Sequence, residues 1–274
     1  FGQMFRRFGS KVTILEKSAR LIPREDEDIS KEMQEILALE DIDVLTASQA
    51  IEFEQNSKGK ITATIKSGKE EKKIVCSHVL VAAGRTPQTE ALNLAVTGVK
   101  LDDKGYIKVN GKLETNIKGI YALGDVKGGP AFTHISYNDY TVVYRNLLEN
   151  KNYKINNRSI PYCMFTDPQL GRVGISENEA KKMGLAIKIA KLPMAHVARA
   201  VETGDTRGFM KAVVDTKTKK ILGVAILGAE GGEIMSVLQM AMEGNITYDR
   251  IRYGVFAHPL YSESLNNLFM TLED

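Results

Sequence analysis

The stretch GIYALGDVKGGPAFTHISYNDYTVVYRNLLEN, residues 119–150, runs from an apolar segment into a glycine-rich turn and then into helical spacing. Ile120 to Leu123 read as a strand whose last residues are Gly124 and Asp125, and a helix is expected to start near Thr133. Strand, glycine turn and helix N-terminus in that order make an α/β connection, which presents backbone N–H groups and a partial positive charge to an anionic or electron-rich ligand. Many α/β connections share this form. The stretch therefore speaks to fold class before it speaks to any ligand.

Downstream, KNYKINNRS (151–159) is polar enough for a linker, and the main boundary is placed there. Beyond it the pattern is that of a compact α+β domain. PYCMFTDP (161–168) and AIKIAKLPM (186–194) read as strands, and SENEAKKMG (176–184) as a helix opened by Ser176 with Glu179 in capping-box spacing. FMKAVVD (209–215) and KILGVAILG (220–228) form an expected antiparallel pair across the turn TKTKK, followed by the helix GGEIMSVLQMAMEG (231–244).

Upstream, FGQMFRRF (1–8) reads as a helix stopped by Gly9, and KVTILE (11–16) as a short strand. After Pro23, EDEDISKEMQEILALED places carboxylates in a helical first turn, expected to be solvated there and favoured by the helix dipole; Ile29, Met33, Ile36 and Leu37 share one face. Four strand-like segments follow: DIDVLTAS, AIEFEQ, KITATIKSG and KKIVCSHVLVAAG. KGYIKVNGKLETNIKGIYALGD (104–125) is expected to run as short strands. The chain begins with Phe1 in a helix already under way, so it is expected to be part of a longer polypeptide.

Composition narrows the function classes. Against 37 basic residues stand 34 acidic ones, for a formal charge of +3, with no long basic stripe, so nucleic acid is not an implied partner. No apolar run has the length of a membrane span and no signal peptide opens the chain, which makes a cytoplasmic location the expectation. Cys76 and Cys163 sit in apolar contexts and are expected to be buried strand thiols. With neither a CxxC nor an HExxH motif, no metal site is expected.

Five segments, in order, resemble class I pyridine nucleotide-disulfide oxidoreductases, the family of dihydrolipoamide dehydrogenase, glutathione reductase and mercuric reductase. They are KVTILEKSARLIPREDEDI, VLVAAGRTPQT, GIYALGDV, FTDPQLGRVGISENEA and FAHPLYSESLNNLF. FTHISYNDY and SLNNLF look closest to the mercuric-reductase-like branch, and there to bacterial reactive-chlorine-resistance flavoproteins. The resemblance implies a mixed α/β and α+β architecture. Residues 1–84 would be a partial Rossmann-like NAD(P)-binding domain, 85–155 the returning part of an FAD-binding domain, and 156–274 an α+β interface domain that makes a homodimer.

The resemblance also implies an activity: hydride passes from NAD(P)H to FAD, then to a cysteine pair upstream of these residues, then to a disulfide, oxidant or metal-ion acceptor. By the same resemblance His258 and Glu263 form a catalytic dyad acting on thiols of the partner subunit, the glutamate fixing the tautomer of the imidazole. Glu16 would accept hydrogen bonds from the NAD ribose, with Lys17 and Arg20 leaving some NADPH use open. Gly84 and Arg85 would lie beside the nucleotides. Gly124 and Asp125 would hold the flavin ribityl chain, and Thr133 and His134 would stand where a helix N-terminus faces the flavin. Phe256, Leu260 and Tyr261 depart from the neighbours seen in lipoamide dehydrogenase, and the ending TLED lacks the vicinal cysteines of mercuric reductase. Taken alone, the chain is expected to be inactive. The other reading is a non-catalytic dimerisation module. An upstream CxxxxC motif would separate the two.

Overall fold

A computed structural model describes residues 1–156 and 158–272. The chain divides into two compact units, one built from residues 1–80 together with 161–274 and the other from residues 81–160. The first unit opens with α1 (Gly2–Arg7), β1 (Thr13–Leu15), α2 (Glu27–Leu39) and β2 (Asp43–Leu45); β1 and β2 pair in parallel with Thr13 opposite Asp43. The strands β3 (Ser48–Gln55), β4 (Ile61–Ser67) and β5 (Glu70–Cys76) then form an antiparallel meander. α2 buries Ile29, Met33, Ile36 and Leu37, the face its spacing predicts. One expectation is corrected here. The apolar run VLVAAG does not continue β5, which ends at Cys76, and Leu80 and Val81 are exposed. An apolar run becomes a strand only by pairing, and among the described residues the parallel sheet stops at β1 and β2.

In the second unit the expected short strands of residues 104–125 are replaced by isolated bridges, Leu101 with Ile107 and Glu114 with Tyr121. Side chains compete here with a ladder. Asp102 accepts the N–H groups of Lys104 and Tyr106, Asn110 those of Lys112 and Glu114, and Asn116 that of Lys100. The apolar segment ends not as a strand but in a 3₁₀ turn over Gly124–Lys127, followed by α3 (Thr133–Leu148), which starts where expected. α3 turns Ile135, Asp139 and Val142 inward.

The first unit resumes with β6 (Tyr162–Met164), β7 (Gln169–Gly174), α4 (Glu177–Lys182), β8 (Ile187–Pro193), α5 (Ala198–Thr203), β9 (Phe209–Asp215) and β10 (Ile221–Gly228). The helices α6 (Gly231–Glu243), α7 (Tyr248–Arg252) and α8 (Leu265–Met270) complete it. The five strands form one antiparallel sheet in the order β6-β7-β10-β9-β8, and the capping box of Ser176 and Glu179 is present at α4. β7 lies in a segment whose two glycines hide its strand character. Gly171 is needed because α6 crosses it: a Cβ there would lie 2.3 Å from the Gly231 carbonyl oxygen and 2.8 Å from Met235 Cβ. Gly171→Ala is accordingly expected to destabilise the unit by about 1–3 kcal/mol through overpacking, read from the denaturant midpoint at unchanged slope.

α2 packs across the opposite sheet face, where Ile29, Met33, Ile36 and Leu37 join Leu170, Phe209, Ala225 and Leu227 in one core. This placement overturns the expected solvation of the acidic stretch. Glu25 and Asp26 are buried. Glu25 accepts from the Tyr162 hydroxyl and pairs with Arg172 Nε at 3.2 Å. Lys211, also buried, reaches Asp26 at 3.1 Å, Asp28 at 3.0 Å and Glu177 at 2.8 Å. The Asp26 carboxylate accepts the N–H groups of Glu177 and Asn178 as well, so it caps α4 from a distant part of the chain.

Candidate functional site

The segment after α7 is held from both sides before it reaches His258. Leu265, Leu268 and Phe269 of α8 are buried in the main core. From the same helix, Asn266 Nδ2 donates to the carbonyls of Ile251, Arg252 and Gly254 at 3.1, 3.3 and 2.8 Å. The Tyr261 hydroxyl and Thr203 Oγ1 are 2.7 Å apart, tying the loop to the end of α5. On this frame, His258 Nδ1 lies 3.0 Å from both carboxylate oxygens of Glu263, and the Leu260 N–H donates to Glu263 Oε2 at 3.2 Å. The peptide between His258 and Pro259 is cis.

With a carboxylate as partner, Nδ1 carries the proton and donates, which leaves Nε2 as the basic nitrogen. The hydrogen bond to Glu263 raises the pKa of His258, and the same bond lowers that of Glu263. The imidazole is 68% exposed, so a reactant can reach it. Such an arrangement is chemically able to serve as a general base oriented by a carboxylate.

In the second unit, Gly124 has φ +70°, and a Cβ there would come 2.8 Å from Ser136 Oγ. Asp125 follows with its carboxylate 56% exposed, approached by Arg85 Nη1 at 3.4 Å, while the same nitrogen donates to the Ala131 carbonyl at 3.0 Å. Gly84, at φ +127°, precedes that arginine. Thr133 opens α3, whose N-cap residue Phe132 offers no side-chain cap, and His134 stacks on the Phe132 ring with centroids 5.2 Å apart. The arrangement therefore brings Arg85 and Asp125 into contact. A turn that only glycine tolerates, an exposed carboxylate and a helix start without a side-chain cap are compatible with a large anionic, hydroxyl-bearing ligand. Sequence reading missed Asp139, which lies under this turn; the Asp at that helix position carries no motif, and only its burial betrays it.

Glu16 directly follows β1, its N–H donating to the Leu45 carbonyl at 2.9 Å and its carbonyl accepting the Ser48 N–H at 3.0 Å. Its carboxylate accepts the Ser18 N–H at 2.6 Å. Arg20, by contrast, is turned toward Pro23 O, Glu25 O and Glu27 at 3.2, 3.0 and 3.1 Å. Cys76 and Cys163 are strand residues, as expected, but only half-buried, and both are free thiols in different sheets. Burial, then the nearby Glu233, pushes the Cys163 thiol up. Among the described residues no group of three or more His, Cys, Asp or Glu is placed to hold a metal ion, and no helix is long and apolar enough to cross a membrane.

Residues 1–139 match the family model for pyridine nucleotide-disulphide oxidoreductases, and residues 160–269 match the dimerisation domain of the same family. The chain belongs to this family. It is 37% identical over 272 residues to the probable pyridine nucleotide-disulfide oxidoreductase RclA of Escherichia coli, covering 98% of this chain and 60% of the relative. A dihydrolipoyl dehydrogenase of Thermus scotoductus is 33% identical over 265 residues, covering 96% of this chain and 57% of the relative. A solved structure of the Escherichia coli protein, described as an HOCl-induced flavoprotein disulfide reductase, superimposes with a TM-score of 0.92 at 35% identity, over 100% of this chain and 62% of that one. The chain thus spans about 60% of the length of these relatives. Its mixed α/β and α+β architecture is that of the flavoprotein disulfide reductases, a family that uses FAD and NAD(P)H.

Proposed function

We propose that the chain forms part of an FAD-dependent NAD(P)H oxidoreductase that delivers electrons through thiols to a disulfide, oxidant or metal-ion acceptor. The observation that carries this reading is the pair His258 and Glu263, 3.0 Å apart within the matched dimerisation domain. In that reading the exposed imidazole takes a proton from a thiol and Glu263 holds its tautomer. Cys76 and Cys163 are free thiols in separate sheets and do not form a pair here, so in this reading the redox thiols come from other residues of the working enzyme. Residues 1–84 then serve as part of an NAD(P)-binding domain, 85–155 as part of an FAD-binding domain, and 156–274 as the interface of a homodimer. α6 favours that last role, because its apolar residues Val237 and Met240 stay exposed while Ile234, Met235, Leu238 and Ala241 of the same helix are buried.

When bound, FAD supplies the two-electron relay between nicotinamide and thiols. Gly124 and Asp125 would hold it, with Arg85 and Gly84 alongside and Thr133 and His134 at the helix start. Glu16 would accept from the nicotinamide-nucleotide ribose and disfavour a 2′-phosphate. Arg20 is committed to Pro23, Glu25 and Glu27, which favours NADH, while the exposed Lys17 leaves some NADPH use open; Glu16→Gln is expected to narrow any preference for NADH over NADPH, measured from the two binding constants.

The experiment is a titration of the purified chain with FAD, followed by desalting and a visible spectrum. A flavin band that stays with the protein, and binding at least tenfold weaker in Asp125→Ala, as expected for a lost hydrogen bond to a charged group, would support the reading. FAD that neither binds nor responds to Asp125→Ala would overturn the flavin assignment. The separation of the two cysteines also favours a second reading for the chain taken alone: inactive, and acting through dimerisation.

A further inference from the structure

Asp139 is the one fully buried carboxylate of α3, lying between Ile135 and Val142 on the inward face. An ionised carboxylate in such a place is unfavourable unless partnered. Among the described residues it has three partners, all in the second unit. Asp139 Oδ2 accepts the Gly124 N–H at 2.9 Å and lies 3.3 Å from Lys127 Nζ; Oδ1 accepts from Arg158 Nη1 at 2.7 Å. The Lys127 side chain is itself only 5% exposed and also donates to the Gly128 carbonyl at 3.2 Å.

Gly124 and Lys127 are the first and last residues of the 3₁₀ turn Gly124–Lys127, and Arg158 neutralises the other carboxylate oxygen from outside it. One carboxylate therefore clamps both ends of the turn from beneath, while Asp125, between them, keeps its own carboxylate exposed. Ser136, one helical turn before Asp139, closes the space behind Gly124. A buried apolar residue would serve stability as well as an ion cluster does, so the ions point to a demand for one particular geometry.

We propose that Asp139 is a positioning residue for the flavin turn, pre-ordering Gly124 to Lys127 so that Asp125 and the start of α3 are in place before the ligand arrives. The inference rests on the flavin reading of Asp125 but is separable from it. Asp139 is itself fully buried. It acts through Gly124 and Lys127, and a pre-ordered turn lowers the ordering cost of binding.

Amide hydrogen exchange of the whole chain tests this in Asp139→Ala and Asp139→Asn. The informative amides are Gly128, bonded to the Asp125 carbonyl at 3.0 Å, and Ile107, bonded to the Val126 carbonyl at 2.9 Å, because Asp139 contacts neither. Exchange at least tenfold faster at Gly124, Gly128 and Ile107, with the Val142 amide unchanged, is expected in Asp139→Ala. Asp139→Asn, which retains an oxygen for Gly124 but not the charge for Lys127 and Arg158, should fall between. Asp139→Asn carries the test by itself should the alanine variant fail to fold. Unchanged exchange at these three amides, or an equal rise at Val142, would overturn positioning. FAD affinity at least tenfold weaker in both variants is the expected second readout, and wild-type affinity with a loosened turn would also overturn it. A wild-type chain that binds no FAD would remove the flavin reading while the exchange pattern still decides whether Asp139 orders the turn.

Discussion

Lys211→Met is expected to lower the thermal midpoint of the chain by about 10 °C, since breaking a buried ion cluster by removing one partner costs about 3–5 kcal/mol and each kcal/mol moves a unit of this size by roughly 2–4 °C. Lys211 is 3% exposed and is the shared cation of Asp26, Asp28 and Glu177. Without it, three carboxylates face one another at the junction of α2, α4 and the sheet. Lys191 still reaches Asp28 at 2.7 Å and Lys181 still reaches Glu177 at 2.5 Å, but Asp26 loses its cation and the two exposed lysines cannot replace the buried one. Adding Asp28→Asn and Glu177→Gln to Lys211→Met removes the repulsion and should recover part of the loss. A midpoint within 2 °C of wild type, against the shift expected from these rates, would mean that the cluster is solvated and that α2 docks through its apolar face alone.

Burial would raise Asp26, but the N–H of Asn178, Lys211 and the N–H of Glu177 outweigh it and hold the carboxyl below its usual range. Asp28 and Glu177 behave alike, burial being overcome by lysines. A depressed folded pKa gives stability that is present above the unfolded value of about 4 and is lost as pH falls through the folded one. Lys211 is held above its ordinary value because its carboxylate bonds outweigh burial, so its contribution is intact below about pH 10 and fades above it. Glu25 runs the other way: burial outweighs Arg172 and raises it, so its ionisation opposes folding at neutral pH and that opposition is relieved on acidification. The three depressed carboxyls outnumber Glu25, and the cluster should fail in acid. In Lys211→Met the acid limb of the stability curve should flatten, as measured by midpoint against pH.

The same cluster explains what the sequence could and could not disclose. The face of α2 was readable because Ile29, Met33, Ile36 and Leu37 declare themselves within two turns. The burial of Glu25 and Asp26 was not, because their cations stand 147 and 185 residues away. An acid beside a helix start reads as a solvated dipole partner until the tertiary fold places Arg172 and Lys211 opposite. β7 was hidden for a related reason: Gly171 lowers strand propensity locally and is required only because α6 crosses there. The runs around Ile107 and Leu113 failed as strands because Asp102 and Asn110 capture the backbone first. The pairing of His258 with Glu263 was legible through the family resemblance of its segment, and Asp139 was not, since its place rests on a turn fifteen residues earlier.

Replacing His258 is expected to produce the largest functional effect. If its imidazole takes the thiol proton, His258→Gln lowers disulfide turnover of the assembled enzyme by about 10²- to 10⁴-fold. In the proposed reading the flavin would be reduced by the nicotinamide nucleotide before the thiol step, and that reduction should keep its normal rate. Glu263→Gln isolates the orienting carboxylate. Its hydrogen bond is the leading cause of the raised His258 pKa, so its loss should bring the imidazole back toward about 6.5. The base is active only when neutral, so in Glu263→Gln the acid limb of the pH–rate profile should move to lower pH while the plateau rate falls. A ring-proton titration of His258 by NMR checks the first half without turnover. If His258 titrates identically in both forms, Glu263 does not set its basicity; if turnover survives His258→Gln, another group takes the proton, and the segment is a turn that happens to bring a histidine beside a glutamate.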